Sequence, residues 1–146
     1  MMDEPKPARP FERLARLRSV QVEHERQRFA AAQDVVRERR AELSEAKRAQ
    51  RGAERRASSG LLRATGEGST AALEAVLVTM RRVLEVRASW RAARATLEEC
   101  RTRLEAERAA ERAAQQVALE RTHAMIRWRE QREQELAEEA FRSLSL

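Results

Sequence analysis

Residues 58–84 read SSGLLRATGEGSTAALEAVLVTMRRVL, and the fold turns on this stretch. It holds three of the four glycines, Gly60, Gly66 and Gly68, and runs straight into the most apolar segment of the protein. On either side the chain is Arg-, Glu- and Ala-rich at helical spacing, and no proline follows Pro10. Glycine is the residue a helix uses to stop, and proline is the one it cannot carry inside. One break between two uninterrupted helical runs makes a hairpin. The expected fold class is therefore all-α, a long antiparallel two-helix coiled coil with its tip at residues 58–70.

The composition supports an extended helical assembly. Charged residues make up 37% of the 146 and aromatic residues 3%, with no tyrosine, too few bulky apolar groups for a thick core. Disorder is the competing reading of such polarity, but Leu, Val and Ala recur every three to four residues. The formal net charge is +6 and the pI near 10.9. The 30 basic residues interleave with 24 acidic ones, which fits a solvated face laced with ion pairs better than a nucleic-acid footprint. One cysteine, Cys100, rules out an internal disulfide framework. The opening MMDEPKPARP has no apolar core of a signal peptide, and no run approaches the ~20 apolar residues of a transmembrane helix. The expectation is a soluble cytoplasmic protein with no direct membrane insertion.

Taken in order, residues 1–10 read as a disordered leader and residues 11–142 as one hairpin. Helix one is expected over about 11–57, and Pro10 suits its start. Its stripe opens with Phe11, Leu14 and Leu17 and resumes through Phe29, Ala32, Val36, Leu43, Ala46, Ala53 and Ala57. Arg39 and Gln50 fall in the seam, and Val20 and Val22 do not hold one register with Leu17. Ser69 or Thr70 is the expected N-cap of helix two, over about 71–142. Its opening face is Leu73, Leu77, Met80 and Leu84, widened by Val76 and Val83. Val83, Trp90, Leu97 and Leu104 then recur every seven residues, with Met80, Arg87, Arg94 and Arg101 between them. Past Arg108 the seam thins to Ala113, Val117, Ala124 and Trp128. At 1.5 Å per residue the arms are roughly 70 and 105 Å long, so the second outruns the first by about 25 residues, about 118–142. That overhang carries Met125, Ile126, Trp128 and Leu136.

No constellation for chemistry stands out. His24 and His123 could face each other, but further metal ligands are missing. Glu98 and Glu99 beside Cys100 disfavour the thiolate a nucleophile needs. The TGEGS segment lacks the Lys-Ser/Thr that a phosphate-binding loop requires. The expectation is no enzyme, no catalytic or metal site and no cofactor.

The opening PFERLARLRSVQVEHERQRFAAAQ and the closing WREQREQELAEEA resemble the two ends of the FliJ/YscO (SctO) family, the stalk proteins of flagellar and injectisome type III export machines. The opening shares a Phe and a Leu-x-x-Leu before a charged, Ala-rich helix. The end shares a run of Arg, Glu and Gln followed by an acidic, Leu-containing tail. The resemblance spans the whole chain. It implies a non-enzymatic stalk that couples the hexameric export ATPase to the export gate in the inner membrane, so that the protein would sit in the cytoplasm at the base of the apparatus. It further implies ATPase-facing residues among Phe11, Leu14, Leu17, Trp128, Arg129, Arg132 and Leu136. The gate-facing set would be Leu73, Leu77, Met80 and Leu84, and export chaperones would be a third partner class. From the residues alone, Leu73 to Leu84 face Ala53, Ala57 and glycine, which are too small to cover them. The competing reading is a basic coiled coil that binds nucleic acid or ribosomes; interleaved charges and scarce lysine count against it.

Overall fold

A computed structural model describes residues 5–61 and 67–144. Two helices, α1 (Arg9–Leu61, 53 residues) and α2 (Glu67–Leu144, 78 residues), pack against each other, and there is no strand among the described residues. The all-α helical hairpin expected from the sequence is what forms. Among the described residues, no helix is long and apolar enough to cross a membrane.

The break between the helices is tighter than the expected 58–70. Ser58 and Ser59 stay helical, and their hydroxyls donate back to the carbonyls of Glu54 (2.9 Å) and Arg55 (3.0 Å) within the helix. Gly60 is helical too, with open space where a Cβ would stand. At the other side α2 has begun by Glu67, so Ser69 and Thr70 lie inside the helix and are not its caps. Thr65 and Gly66 of the TGEGS segment, and Leu62, fall outside the described residues. α1 starts at Arg9, two residues before Phe11; the Ala8 carbonyl accepts from the amides of Phe11 (3.0 Å) and Glu12 (3.1 Å), and Pro10 lacks an amide where none is needed. α2 runs two residues past the expected 142.

The contacts divide the chain into two compact units, one of Gln27–Thr102 and one of Met1–Arg26 with Arg103–Leu146. In the first unit a shielded line runs through 29, 32, 36, 39, 43, 46, 50, 53, 57 and 60 of α1 and through 72, 76, 79, 83, 86, 90, 93, 97 and 100 of α2, with half-buried Gln33, Glu42, Gly52, Ser69, Arg87 and Ser89 beside it. Both series alternate steps of three and four, a 3.5-residue period that keeps one stripe turned to a partner helix. Leu43, Ala46, Val83 and Val86 form its buried cluster, with Trp90 packed against them. Nearer the break the seam shrinks to Ala53 and Ala57. The polar seam positions are neutralised locally: Arg39 donates to both carboxylate oxygens of Glu42 at 3.0 Å, and Gln50 donates to Glu54 at 2.9 Å.

The second unit carries the same repeat at 11, 15, 18, 22 and 25 of α1 and 104, 107, 111, 114, 118, 121, 125 and 128 of α2. Val22, Leu104, Ala114 and Ala118 are its buried residues. Arg18 crosses to Glu107 (3.1 Å) and Ser19 donates to Glu111 (2.6 Å), so ionic and hydroxyl contacts fix the level of pairing where the apolar seam is thin.

This register corrects several expectations. Val22 is in the seam, whereas Leu14, Leu17 and Val20 lie outside it and are exposed. On α2 the residues between the Val83–Trp90–Leu97–Leu104 repeat are Val86, Ala93 and Cys100; Met80, Arg87, Arg94 and Arg101 are not. Past 108 the buried alanines are 114 and 118, not 113 and 124.

No charged or polar residue is buried among the described ones, and half of the ten buried residues are alanines. Such a thin core makes each aliphatic in it matter. Leu43→Ala is expected to cost at least about 2 kcal/mol. Leu77→Ala, which removes a side chain already 64% exposed, should stay within about 0.5 kcal/mol. Urea unfolding of the two variants measures the difference.

Candidate functional site

In the unit Gln27–Thr102, the rotation of α2 that buries Val83 and Val86 turns a second stripe outwards. Leu73, Leu77 and Leu84 are 50%, 64% and 62% exposed, and Met80 and Val78 are exposed with them. Leu73, Leu77, Met80 and Leu84 keep the 4-3-4 spacing of a coiled-coil seam, displaced by one residue, about 100° of helix, from the seam that is used. These four lack cover on α1, but not because they face the small side chains of Ala53 and Ala57, as expected. The stripe is not the packing face of α2, and Val76, half-buried one residue before Leu77, is.

The same outer line continues beyond Leu84 at 87, 91 and 94, where every residue is arginine. Arg87, Arg91 and Arg94 border an open cleft of about 790 Å³ with Arg40 and Lys47 of α1. No carboxylate lines it; Val36, Leu43 and Trp90 form its apolar floor. Arg94 lies over the indole of Trp90, 5.1 Å from the ring centroid. The other four cations make no ion pair among the described residues. The Trp90 Nε1 is shielded from solvent and finds no acceptor. In a chain of 30 basic and 24 acidic residues, five cations around one cleft that no carboxylate lines are a local excess. The sequence carries part of the signal as Arg87, Arg91 and Arg94 at 4-3 spacing, although the seven-residue repeat assigns Arg87 and Arg94 to the seam; Arg40 and Lys47 come from the other helix, and their nearness depends on the pairing.

The unit of both chain ends holds the other candidate set. Phe11 is half-buried in the seam under Arg121, whose guanidinium stands 5.5 Å from the ring centroid. Leu14 and Leu17 are exposed on the same helix. Trp128 is half-buried, the last shielded position of α2, and every described residue after it is exposed. The segment without cover is therefore 129–144, shorter than the expected overhang from 118: Ala118 is buried, and Met125 is half-buried. Arg129 and Leu136 project into solvent, and Arg132 pairs with Glu135 (3.2 Å) on its own helix face. Such exposed i,i+3 pairs contribute only a few tenths of a kcal/mol. Phe11, Leu14 and Leu17 thus share a unit with Trp128, Arg129, Arg132 and Leu136, but the exposed members do not converge on one pocket.

The two histidines do not meet. His24 lies beyond Arg18, which already reaches Glu107, whereas His123 lies beside Arg121, which covers Phe11. Cys100 is a half-buried seam residue, and no group of His, Cys, Asp or Glu among the described residues could hold a metal ion. No protein-family model, curated protein or solved structure matches the chain.

Burial predicts where the backbone opens. In hydrogen–deuterium exchange, amides of residues 83–118 of α2 should be protected, and those of 131–144 should exchange at the rate of a fraying helix end. Deleting residues 131–144 should correspondingly change the urea midpoint little.

Proposed function

We propose that the chain is a non-enzymatic coupling component of a type III export apparatus, with a hexameric export ATPase as one partner and the membrane export gate as the other. The observation that carries the reading is the exposed stripe Leu73, Leu77, Met80 and Leu84. Four large aliphatics at coiled-coil spacing beside a seam that is already paired are suited to meeting another protein. The resemblance of both ends of the chain to the FliJ/YscO family supplies the identity of the partners. In that reading the gate takes the stripe. The ATPase takes the end bearing Phe11, Leu14 and Leu17 together with Trp128, Arg129, Arg132 and Leu136. Export chaperones are a further partner class, and the working place is the cytoplasmic base of the apparatus.

A two-helix coil suits the task. Each helix satisfies its own backbone hydrogen bonds along its length, so it can pass along a channel without needing a thick core. The exposed residues 129–144 leave helix surface free to pack inside a ring.

Added to the cognate ATPase, the protein should raise ATP turnover and co-sediment with the hexamer; unchanged turnover with no co-sedimentation overturns the reading. The double variant Leu77→Ala/Met80→Ala should keep its helical content and its effect on the ATPase. It should lose binding to the gate's cytoplasmic part, measured by pull-down.

A further inference from the structure

The outer line of α2 changes character halfway along. Its first half is aliphatic, Leu73 to Leu84, and its second half is Arg87, Arg91 and Arg94, all at one coiled-coil spacing. Arg40 and Lys47 bring two more cations to the second half from α1, and the floor between them is apolar. All of this lies within the unit Gln27–Thr102. The line from 73 to 94 spans roughly 32 Å, the length of a helix of about 20 residues.

We propose that this face docks an acidic amphipathic helix of another protein, its aliphatic half against Leu73, Leu77, Met80 and Leu84 and its carboxylates in the arginine-lined cleft. The inference takes from the export reading only that the stripe meets a partner, and it adds the partner's chemistry. A second helix laid on the stripe supplies knobs at the same 3–4 spacing and so repeats the packing already used between α1 and α2. Arginine is the cation suited to carboxylates, because its planar fork takes two oxygens at once. Arg87 and Arg91 make no ion pair within the described residues, so they need not give up an existing partner to bind one.

A nucleic acid fits the face less well. Its aliphatic half offers nothing to phosphates, and its one aromatic ring, Trp90, is capped by Arg94 and leaves no base-stacking platform. An anionic membrane would favour cations flanking the aliphatics along their length. Here Arg81 and Arg82 stand beside the aliphatics, but the five cations of the cleft follow them end to end.

Fluorescence anisotropy with a labelled synthetic helix of about 22 residues tests the proposal. The probe carries Leu every three to four residues in one half and Glu at the same spacing in the other. It should bind the full chain and should weaken at least about tenfold against R87E/R91E/R94E. The same peptide with Lys for Glu should show the reverse preference, binding that variant better than the parent chain. Leu77→Ala/Met80→Ala should weaken the acidic peptide without changing the preference for charge. No binding of the acidic peptide, equal binding of the Glu and Lys peptides to the parent chain, or a lower half-saturation point for duplex DNA or phosphatidylserine vesicles overturns the proposal. The assay contains no ATPase, so its failure would leave the stimulation of turnover standing, and the converse also holds.

Discussion

Two helices can bury only one stripe each against the other, and this constraint governs the whole molecule. The stripe repeats every 3.5 residues along both α1 and α2, and at each shielded position a residue faces a helix, never a second layer. With one layer there is no interior. Among the described residues no polar one is buried, and alanine supplies half of those that are. The seam therefore tolerates Arg39 and Gln50, which stay half-exposed and satisfy themselves on Glu42 and Glu54 of their own helix. A thick core would charge several kcal/mol for such residues.

The single-layer seam also fixes what is left over. Once the seam through Val83, Val86, Trp90, Ala93 and Leu97 sets the rotation of α2 in the unit Gln27–Thr102, the apolar residues off that line face solvent or a partner. The largest such group is Leu73, Leu77, Met80 and Leu84, and the arginines that extend its line reach the cleft beside Arg40 and Lys47. In the unit of the chain ends the seam runs out at Trp128, and the helix continues to Leu144 with every described side chain exposed. Both leftovers come from one cause: each helix offers its partner one face, and α2 carries more apolar surface and more length than α1 can cover.

The placement of charge follows the same logic. Most ion pairs are i,i+3 or i,i+4 contacts on the surface of one helix, where they add little stability and much solubility. Arg18 with Glu107 is different, since it joins the two helices at a level where the flanking seam residues are few. An antiparallel pair with alanine-rich stretches can slip along its axis, because alanines pack equally well in several registers; a cross-helix ion pair and the Ser19–Glu111 contact penalise the slip.

The sequence by itself determined the fold class. Absence of proline after Pro10, glycines gathered at one place and aliphatics at helical spacing leave an all-α hairpin as the only economical arrangement. It also determined the seam through Phe29–Ala57 and the Val83, Trp90, Leu97 and Leu104 positions of α2, but not Val86, Ala93 and Cys100 between them. It did not determine which stripe is inside where two compete. Ala72, Val76, Thr79 and Val83 have the same 3–4 spacing as Leu73, Leu77, Met80 and Leu84, one residue on, and the larger residues look like the better core. The same ambiguity hid Ala15, Arg18 and Val22 behind Leu14 and Leu17. Only the tertiary structure decided these cases, because the rotation of a long helix is a collective property. It is set by the whole length of the seam and by the pairing with the other helix, and no local window contains it.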